Sequence, residues 1–325
     1  MPEIHLQPAV QVVFLAIVAA LTAATAAVAL IALRHPDRDY RELRLRVRTW
    51  WIIVGLFILA VLLSRGGVMV FFGLVSALAL REYFSLVPPR VADWRVLSIA
   101  YFAIPFQYWW IYTEWYGMFI IFIPVYLFLL IPTRLVLMGA TDGFLQSTSA
   151  IHWGLMTTVF SISHAAYLLV LAPSATPRWT PHLPTGAAEF GVGTGLLLFL
   201  VLLTELNDIF QYLWGKSLGK RRISPQVSPK KTWAGFLGGI ATTTALAAVL
   251  GPWLTFMDWQ HSLFGGLLIG VAGFAGDLSI SAIKRDLGVK DSGTSLPGHG
   301  GILDRIDSLT YTAPLFFHYV WHGYG

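Results

Sequence analysis

The residues best suited to chemistry lie in two polar segments, 205–235 and 276–308, in the C-terminal half of an otherwise apolar chain. In the second of these segments, Asp277 and Lys284 flank Ser281 at spacings of four and three residues, which place all three on one face of a helix. Asp304 and Asp307 share a face by the same spacing, so two acid-bearing helices flank a Gly-rich loop. Hard oxygen donors without a Cys or His cluster favour Mg²⁺ over Zn²⁺, and Mg²⁺ is usually held by one or two carboxylates plus substrate phosphates.

Each of these residues also has a simpler explanation. Asp277 alone would suit a proton relay in a transporter, and Lys284 with Arg285 would suit the cytoplasmic end of a helix. His299 alone would suit a loop histidine that packs or caps, and the glycines a plain turn. It is the combination, at one membrane face, that favours a site.

The first polar segment combines acids with many phosphate-binding donors. Glu205, Asn207 and Asp208 stand near the end of an apolar run, where carboxylates are costly and functional by default. The run Ser-Pro-Lys-Lys-Thr is expected to open the next helix, whose N-terminal amides favour anions. The donors are Lys216, Lys220, Ser228, Lys230, Lys231 and Thr232. The alternative is a basic anchor for lipid head groups, but an anchor does not need the acids.

Composition identifies the solvent of this chain as lipid. Among 325 residues 56% are hydrophobic and 12% charged, with a mean hydropathy of +0.67, whereas soluble domains have about 45–50% apolar and about 25% charged residues. These values exclude a soluble enzyme, a disordered chain and a free nucleic-acid binder. The net charge of +5 indicates basic loops beside anionic lipid. Cysteine is absent, so there is no disulfide framework, thiol nucleophile or Cys-ligated metal.

The apolar runs predict an all-α, polytopic membrane protein with about ten spans, since a spanning helix needs about 20 mostly apolar residues. The runs at 50–64 and 67–80 are short and predict a bent hairpin. The ten runs are 9–33, 50–64, 67–80, 96–112, 117–131, 149–172, 191–214, 233–257, 261–283 and 308–322.

The basic loops predict the orientation, because Lys and Arg concentrate in short cytoplasmic loops. The two strongest clusters, 34–48 and 216–231, hold six basic residues each. With ten spans and the N-terminus outside, both fall inside, together with 81–95 and 286–304, while 173–190 falls outside.

The charge distribution also divides the chain. Residues 1–190 are predicted to form a lipid-facing scaffold, and residues 191–325 the catalytic region, with cytoplasmic loops 215–232 and 286–304, all within one membrane domain. The polar signal is confined to one end, which argues against an ion-coupled transporter, because such proteins often show two similar halves.

The second segment resembles the phosphatidate cytidylyltransferase (CDP-diacylglycerol synthase) family. The matches to its signature are Ser281, Lys284, Arg285, Lys290, Asp291, Pro297, His299, Gly300, Gly301, Asp304, Arg305 and Asp307. The upstream matches are Asp208, Tyr212, Gly215, Lys216, Ser228, Pro229, Lys231 and Thr232. The departures at Asn207, Gln211 and Ala234 bear on the lipid acceptor more than on the reaction.

The resemblance implies transfer of a cytidylyl group from CTP to phosphatidate, with release of pyrophosphate. It implies catalytic roles for Asp208, Asp277, Lys284, Arg285 and Asp304. It also implies Mg²⁺ held by Asp277, Asp304 and Asp307, and a second ion, potassium or divalent, near Asp208 or Asp307. The substrate-binding residues that it implies are Lys216, Ser228, Lys231, Thr232, Lys290, His299, Gly300, Gly301 and Arg305.

The expected partners are CTP, phosphatidate or a related lipid phosphate, and membrane lipids, with no nucleic acid and with a homodimer left open. The expected location is a bacterial plasma membrane, with the site facing the cytoplasm. Four alternatives stay open: a paralogous cytidylyltransferase on a related lipid phosphate, an ion-coupled transporter, a lipid kinase of the polyprenol type, and a structural protein. The kinase would need an acceptor hydroxyl and a base.

Overall fold

Helices make up nearly all of the regular structure, because a helix satisfies its own backbone hydrogen bonds inside hydrocarbon. The computed structural model describes residues 6–87, 94–139, 141–182, 189–298 and 300–325. The α-helices are α1 (Pro8–Arg34), α2 (Arg41–Leu63), α3 (Arg65–Leu86), α4 (Trp94–Tyr112), α5 (Tyr116–Ile121), α6 (Phe128–Leu137), α7 (Phe144–Gly154), α8 (Ser161–Leu168), α9 (Glu189–Leu218), α10 (Trp233–Leu254), α11 (Trp259–Asp286), α12 (Leu303–Ile306) and α13 (Leu309–Tyr324). Two π-helical segments, Phe122–Leu127 and Leu155–Phe160, join α5 to α6 and α7 to α8.

Seven helical segments in the described part of the chain are long and apolar enough to cross a membrane. They are Pro8–Arg34, Arg41–Leu63, Arg65–Leu86, Tyr116–Leu137, Val192–Leu218, Trp233–Leu254 and Trp259–Asp286. The prediction of a helical, multi-pass membrane protein is confirmed, but the predicted count of about ten spans is not supported.

The three remaining predicted runs are helical without qualifying as spans. The 308–322 run becomes α13, whose 16 residues reach only about 24 Å, less than the hydrocarbon thickness of about 30 Å. The 149–172 run falls on α7 and α8, which carry polar side chains such as His152 and His164. The 96–112 run lies within α4.

The two short runs at 50–64 and 67–80 lie in two full-length helices. α2 has 23 residues and α3 has 22, so each is longer than the apolar run that predicted it. They meet at Ser64, whose Oγ accepts a hydrogen bond from the Gly67 amide at 3.1 Å and so caps α3. The two helices pack against each other, as the predicted hairpin requires.

A three-helix layer of α9, α10 and α11 forms the centre of the C-terminal region. α10 packs along both α9 and α11, and α13 packs against α11 and α8. Gly276 lets the start of α13 approach α11 closely, because a Cβ at this position would lie 2.6 Å from the Asp307 carbonyl oxygen. Apolar side chains such as Leu15, 68% exposed on α1, face outward, as expected of a surface that meets lipid.

A short antiparallel hairpin departs from the all-α prediction. β1 (Arg222–Ser224) pairs with β2 (Ser228–Thr232) between α9 and α10. The Ser-Pro-Lys-Lys-Thr run is therefore a strand, and only its last residue serves the following helix. The Oγ1 of Thr232 accepts a hydrogen bond from the Gly235 amide at 3.1 Å, which makes it the N-cap of α10.

Candidate active site

A cavity of about 480 Å³ opens where α9, α10, α11 and the β-hairpin meet. It brings together acids from two helices, basic side chains from the hairpin and aromatic rings from α10 and α11. Its lining residues are Asp208, Gln211, Tyr212, Gly215, Lys216, Ser228, Lys230, Lys231, Thr232, Gly235, Phe236, Phe274 and Asp277. Six predicted site residues thus meet in one cavity: Asp208, Lys216, Ser228, Lys231, Thr232 and Asp277.

The two carboxylates of the cavity come from neighbouring helices. Asp208 on α9 accepts a hydrogen bond from the Ser308 hydroxyl at 2.9 Å through Oδ2, while its buried Oδ1 has no partner among the described residues. Asp277 on α11 accepts one from the Ser281 hydroxyl at 3.1 Å. Its other oxygen forms an ion pair with Lys231 Nζ at 2.5 Å. Asp208 therefore has an oxygen left over for a cation or a donor.

Asp307 adds a third carboxyl group beside these two. It lies between α12 and α13, where burial, and then repulsion by Asp277 and Asp208, raise its pKa well above the ordinary value. Nowhere in the described ranges are three or more Asp, Glu, His or Cys side chains gathered tightly enough to hold a metal ion by themselves. The three carboxylates are thus close enough to repel one another without forming a metal site made of protein alone.

Asp304 has a different environment from the cavity acids. Its Oδ1 accepts a hydrogen bond from Lys284 Nζ at 2.7 Å in a buried ion pair, and its Oδ2 accepts from the amides of Ser292 and Gly301 at 2.8 and 3.0 Å. Burial alone would raise the pKa of Asp304, but these hydrogen bonds hold it below the usual value. Lys284 lies seven residues after Asp277, or about 10 Å along α11. Asp304 does not line the cavity, so its role as a metal ligand stays a prediction.

The loop of residues 291–303, here called the signature loop, contains glycines that shape the surroundings of Asp304. Gly300 has a φ of +81°, and a Cβ there would lie 2.7 Å from Asp304 Oδ2. The Leu296 amide closes the turn on the Gly300 carbonyl at 2.9 Å. His299 lies outside the described residues, and Lys290 is exposed.

The basic residues divide between the cavity and its frame. Lys231 Nζ lies 4.7 Å from the ring centre of Phe274, so its charge stays beside the cavity. Arg285, predicted as catalytic, donates instead to the Val227 carbonyl at 3.1 Å and so ties the β-hairpin to α11. Arg305 is near enough to Asp208 to interact with its charge, and its buried Nε has no partner in the described part of the chain.

Three aromatic side chains and an amide in the cavity were not among the predicted site residues. Gln211 and Tyr212 follow Asp208 by three and four residues, a spacing that by itself places them on its side of α9. The rings of Phe236 and Phe274 are in contact, with their centres 4.4 Å apart and their planes tilted by 50°. Their positions depend on the packing of α10 against α11, which no local spacing reveals.

The N-terminal half also contributes side chains that the sequence did not single out. Glu82 on α3 accepts a hydrogen bond from the Leu303 amide at 2.9 Å, and Thr49 on α2 donates one to the Pro297 carbonyl at 2.9 Å. The sequence offers one weak signal for Glu82, an acid directly after an apolar run. Arg81 beside it made the pair resemble an ordinary charged helix end.

Comparisons with known proteins identify the family of this chain. The model of the "Cytidylyltransferase family" matches residues 44–322. The chain is 47% identical over 287 residues to the uncharacterized protein YnbB of Escherichia coli K12, covering 88% of this chain and 90% of that one. It is 32% identical over 314 residues to phosphatidate cytidylyltransferase 4, chloroplastic, of Arabidopsis thaliana, covering 87% and 75%.

A shorter match concentrates on part of the chain. The chain is 47% identical over 133 residues to the phosphatidate cytidylyltransferase of a Synechocystis species, and this match covers 39% of this chain and 44% of that protein. The family match, by contrast, includes both polar segments and the helices that carry the cavity. The resemblance is therefore confirmed: the chain belongs to the cytidylyltransferase family and is a CTP-dependent nucleotidyltransferase.

Proposed function

We propose that this enzyme transfers the cytidylyl group of CTP to the phosphate of phosphatidate, giving CDP-diacylglycerol and pyrophosphate. The observation that carries the proposal is one cavity in which carboxylates, lysines and aromatic rings converge. Asp208 and Asp277 suit a cation, Lys216 and Lys231 suit phosphates, and Phe274 suits an apolar group. The Arabidopsis relative named phosphatidate cytidylyltransferase supports the same substrate pair.

The cavity suits an acceptor that is partly lipid. Tyr212, which lines the cavity, and Trp233, which directly follows the lining residue Thr232, are 63% and 43% exposed, and aromatic side chains favour the level where head groups meet hydrocarbon. Phe236 lines the cavity behind them. A phosphate presented from the bilayer would reach Lys216 and Lys231 while its diacylglycerol part stays in lipid.

The reaction needs no nucleophile from the protein. A phosphate monoester has a second pKa of about 6, so the lipid phosphate is mostly dianionic at pH 7. One of its oxygens attacks the α-phosphorus of CTP, the new P–O bond forms, and the bond to the bridging oxygen of the pyrophosphate breaks. The electron pair leaves with pyrophosphate. The chain's own task is to bring two polyanions together and to hold them in line.

Two lysines of the cavity, Lys216 and Lys231, supply positive charge toward the phosphates of the two substrates. Lys231 is paired with Asp277, which holds its ammonium group against the cavity wall. A phosphate entering the cavity competes with Asp277 for this ammonium group and so exchanges one anionic partner for another. Lys216 is near the Tyr212 ring, 5.8 Å from its centre, and is free to turn toward a phosphate.

The side chains present fit a divalent cation. Asp208 carries a buried carboxylate oxygen with no partner among the described residues, and the charges of Asp277 and Asp307 repel one another. Asp208 and Asp277, which line the cavity, would hold Mg²⁺ together with phosphate oxygens of the substrate, because Mg²⁺ is usually held by one or two carboxylates plus substrate phosphates. Bound there, the ion would stabilise charge on the leaving pyrophosphate.

We place the cavity on the cytoplasmic side. Arg46 donates a hydrogen bond to the Gly298 carbonyl at 3.1 Å, and Arg285 donates to the Val227 carbonyl. The basic loops of the chain are thus neighbours at one end of the helices. Such a concentration of Lys and Arg favours the cytoplasmic face, where CTP is found.

The test is an assay of purified protein in detergent with labelled CTP, phosphatidate and Mg²⁺. Labelled CDP-lipid with one pyrophosphate released per turnover is the expected result. Turnover only with another lipid phosphate would transfer the proposal to a paralogous cytidylyltransferase. Release of CDP with a phosphorylated lipid would indicate a kinase. No turnover with any lipid phosphate would remove the proposal and leave the transporter.

A further inference from the structure

We propose that Glu82, on α3 in the N-terminal half, is a positioning residue for the reaction of this enzyme. Its carboxylate holds the loop of residues 291–303, and that loop in turn holds Asp304 and its partner Lys284. The expected effect on kcat rests on the proposed function. The contact between Glu82 and the loop can be tested without an activity assay.

The contacts of Glu82 reach both ends of the loop. Its Oε2 accepts a hydrogen bond from the Leu303 amide at 2.9 Å and a longer one from the Ser292 hydroxyl at 3.4 Å. Leu303 directly precedes Asp304, and the amide of Ser292 donates to Asp304 Oδ2 at 2.8 Å. Ser292 therefore bridges two carboxylates, one from each half of the chain.

Burial of the Glu82 carboxylate costs free energy, so we expect its contact with the loop to have a function. The residue is only 7% exposed, and its Oε1 is buried with no partner in the described part of the chain. No ion pair to it occurs there either. A buried carboxylate that is held by N–H and O–H donors alone orders those donors strongly.

The loop is shaped to admit this carboxylate. A Cβ at Gly293 would lie 3.2 Å from Glu82 Oε1, and one at Gly301 would overlap Oε2. Side chains larger than hydrogen at these two positions would push the carboxylate away. The two glycines therefore explain how an acid from α3 approaches the backbone of a loop more than two hundred residues away.

Two further hydrogen bonds, both from α2, reach the middle of the loop. Thr49 on α2 donates to the Pro297 carbonyl at 2.9 Å, and Arg46 donates to the Gly298 carbonyl at 3.1 Å. α2 and α3 thus fix the loop at three places. Movement of the loop would disturb the ion pair between Asp304 and Lys284, and Lys284 lies on α11 two turns beyond Asp277.

The experiment compares Glu82→Gln with wild type and with Glu114→Gln as the control. Glu114 pairs with Arg65 at 2.7 Å, is 59% exposed, and contacts neither the cavity nor the loop. For Glu82→Gln we expect kcat to fall by up to about 100-fold, the loss that a displacement of about 1 Å can cause, with a much smaller change in the KM for CTP. The control should match wild type.

A second measurement reports on the loop directly. Lys290 is exposed immediately before the loop, so limited trypsin digestion followed by mass spectrometry measures its accessibility. Faster cleavage after Lys290 in Glu82→Gln than in Glu114→Gln supports the proposal. Equal cleavage rates overturn it, whether or not the wild type turns over phosphatidate. Inactive wild type would instead refute the proposed function.

Two results on the kinetic side would also overturn the proposal. One is an unchanged kcat in Glu82→Gln. The other is a loss of activity that matches the loss of folded protein on size exclusion, with kcat per folded molecule unchanged, since a merely structural role has that signature. If Glu82→Gln does not fold, Ser292→Ala is the second variant: it removes the 3.4 Å hydrogen bond and keeps the amide that serves Asp304. It should show faster cleavage and a smaller fall in kcat.

Discussion

Two aspartates that match the same sequence signature have different physical situations. Asp277 lines the cavity, and one of its oxygens forms an ion pair with Lys231. Asp304 is outside the cavity lining and has three donors, among them Lys284. The first is suited to take part in the reaction, and the second to hold the frame around it.

This difference predicts separate effects for two matched substitutions. Asp277→Asn should lower kcat by about 10²–10³-fold, as loss of one preorganised charge does, with little change in stability. Asp304→Asn should also lose turnover, but it leaves Lys284 buried and unpaired and should lower the free energy of unfolding by about 3–5 kcal/mol. Turnover of CTP and unfolding in detergent measure the two effects. Equal stability of the two variants would contradict the assignment.

The lowered pKa of Asp304 predicts a dependence of stability on pH. Because its folded-state pKa lies below the unfolded value of about 3.9, the ionised carboxylate stabilises the fold at pH values above that value. The contribution is lost as the pH falls through the folded-state pKa. Thermal unfolding followed from pH 6 downward should show this loss in wild type. The Asp304→Asn variant lacks this carboxylate, so its stability should fall less over the same pH range. An equal fall in stability would contradict a stabilising role of ionised Asp304.

At the scale of elements, α11 is the helix on which the site is organised. It carries Asp277 toward the cavity, Lys284 toward Asp304 and Arg285 toward the β-hairpin. The close approach of the start of α13 depends on Gly276, because the Asp307 carbonyl occupies the space of a side chain. This contact brings the charges of Asp277 and Asp307 together.

Gly276→Ala should therefore separate the two acids. The added methyl group would lie 2.6 Å from the Asp307 oxygen, and overpacking of this kind costs about 1–3 kcal/mol. We expect lower stability, measured by thermal unfolding, and lower turnover of CTP. Gly55→Ala on α2 is the control, since a Cβ there meets nothing within 4 Å and alanine favours a helix. A tolerated Gly276→Ala would show that the junction relaxes freely.

At the scale of the whole molecule, the basic segments gather at one end of the helices although they are far apart in sequence. α2 contributes Arg46 to the signature loop, and α11 contributes Arg285 to the hairpin after α9. The division into scaffold and catalytic region stays a prediction. The hydrogen bonds of Thr49 and Glu82 show, however, that helices of the N-terminal half contact the signature loop.

The absence of cysteine makes the orientation directly testable. Ser295→Cys places one thiol in the exposed part of the signature loop, and Ala175→Cys places one in the exposed segment after α8. In inverted membrane vesicles a membrane-impermeant maleimide should label Ser295→Cys and spare Ala175→Cys. Intact cells should give the reverse, and the opposite pattern would place the cavity on the outer side.

The sequence by itself determined the solvent, the helical class and the family. Long apolar runs have no stable alternative to helices in lipid, and an irregular signature of charged residues and glycines is specific without any knowledge of contacts. It also predicted site roles for Asp208, a carboxylate near hydrocarbon, and for Lys216 and Lys231 as phosphate donors, and these three residues line one cavity. The number of spans was not determined, since α13 is helical and still too short to qualify.

Only the tertiary structure decided which of the signature residues share a cavity and which hold its frame. The pairing of Asp304 with Lys284 arises where a loop folds back on α11, and the contact of Glu82 joins segments more than two hundred residues apart. Neither leaves a local period in the sequence. Spacing along a helix predicts which side chains share a face, but the neighbour of that face is chosen by the packing of the whole chain.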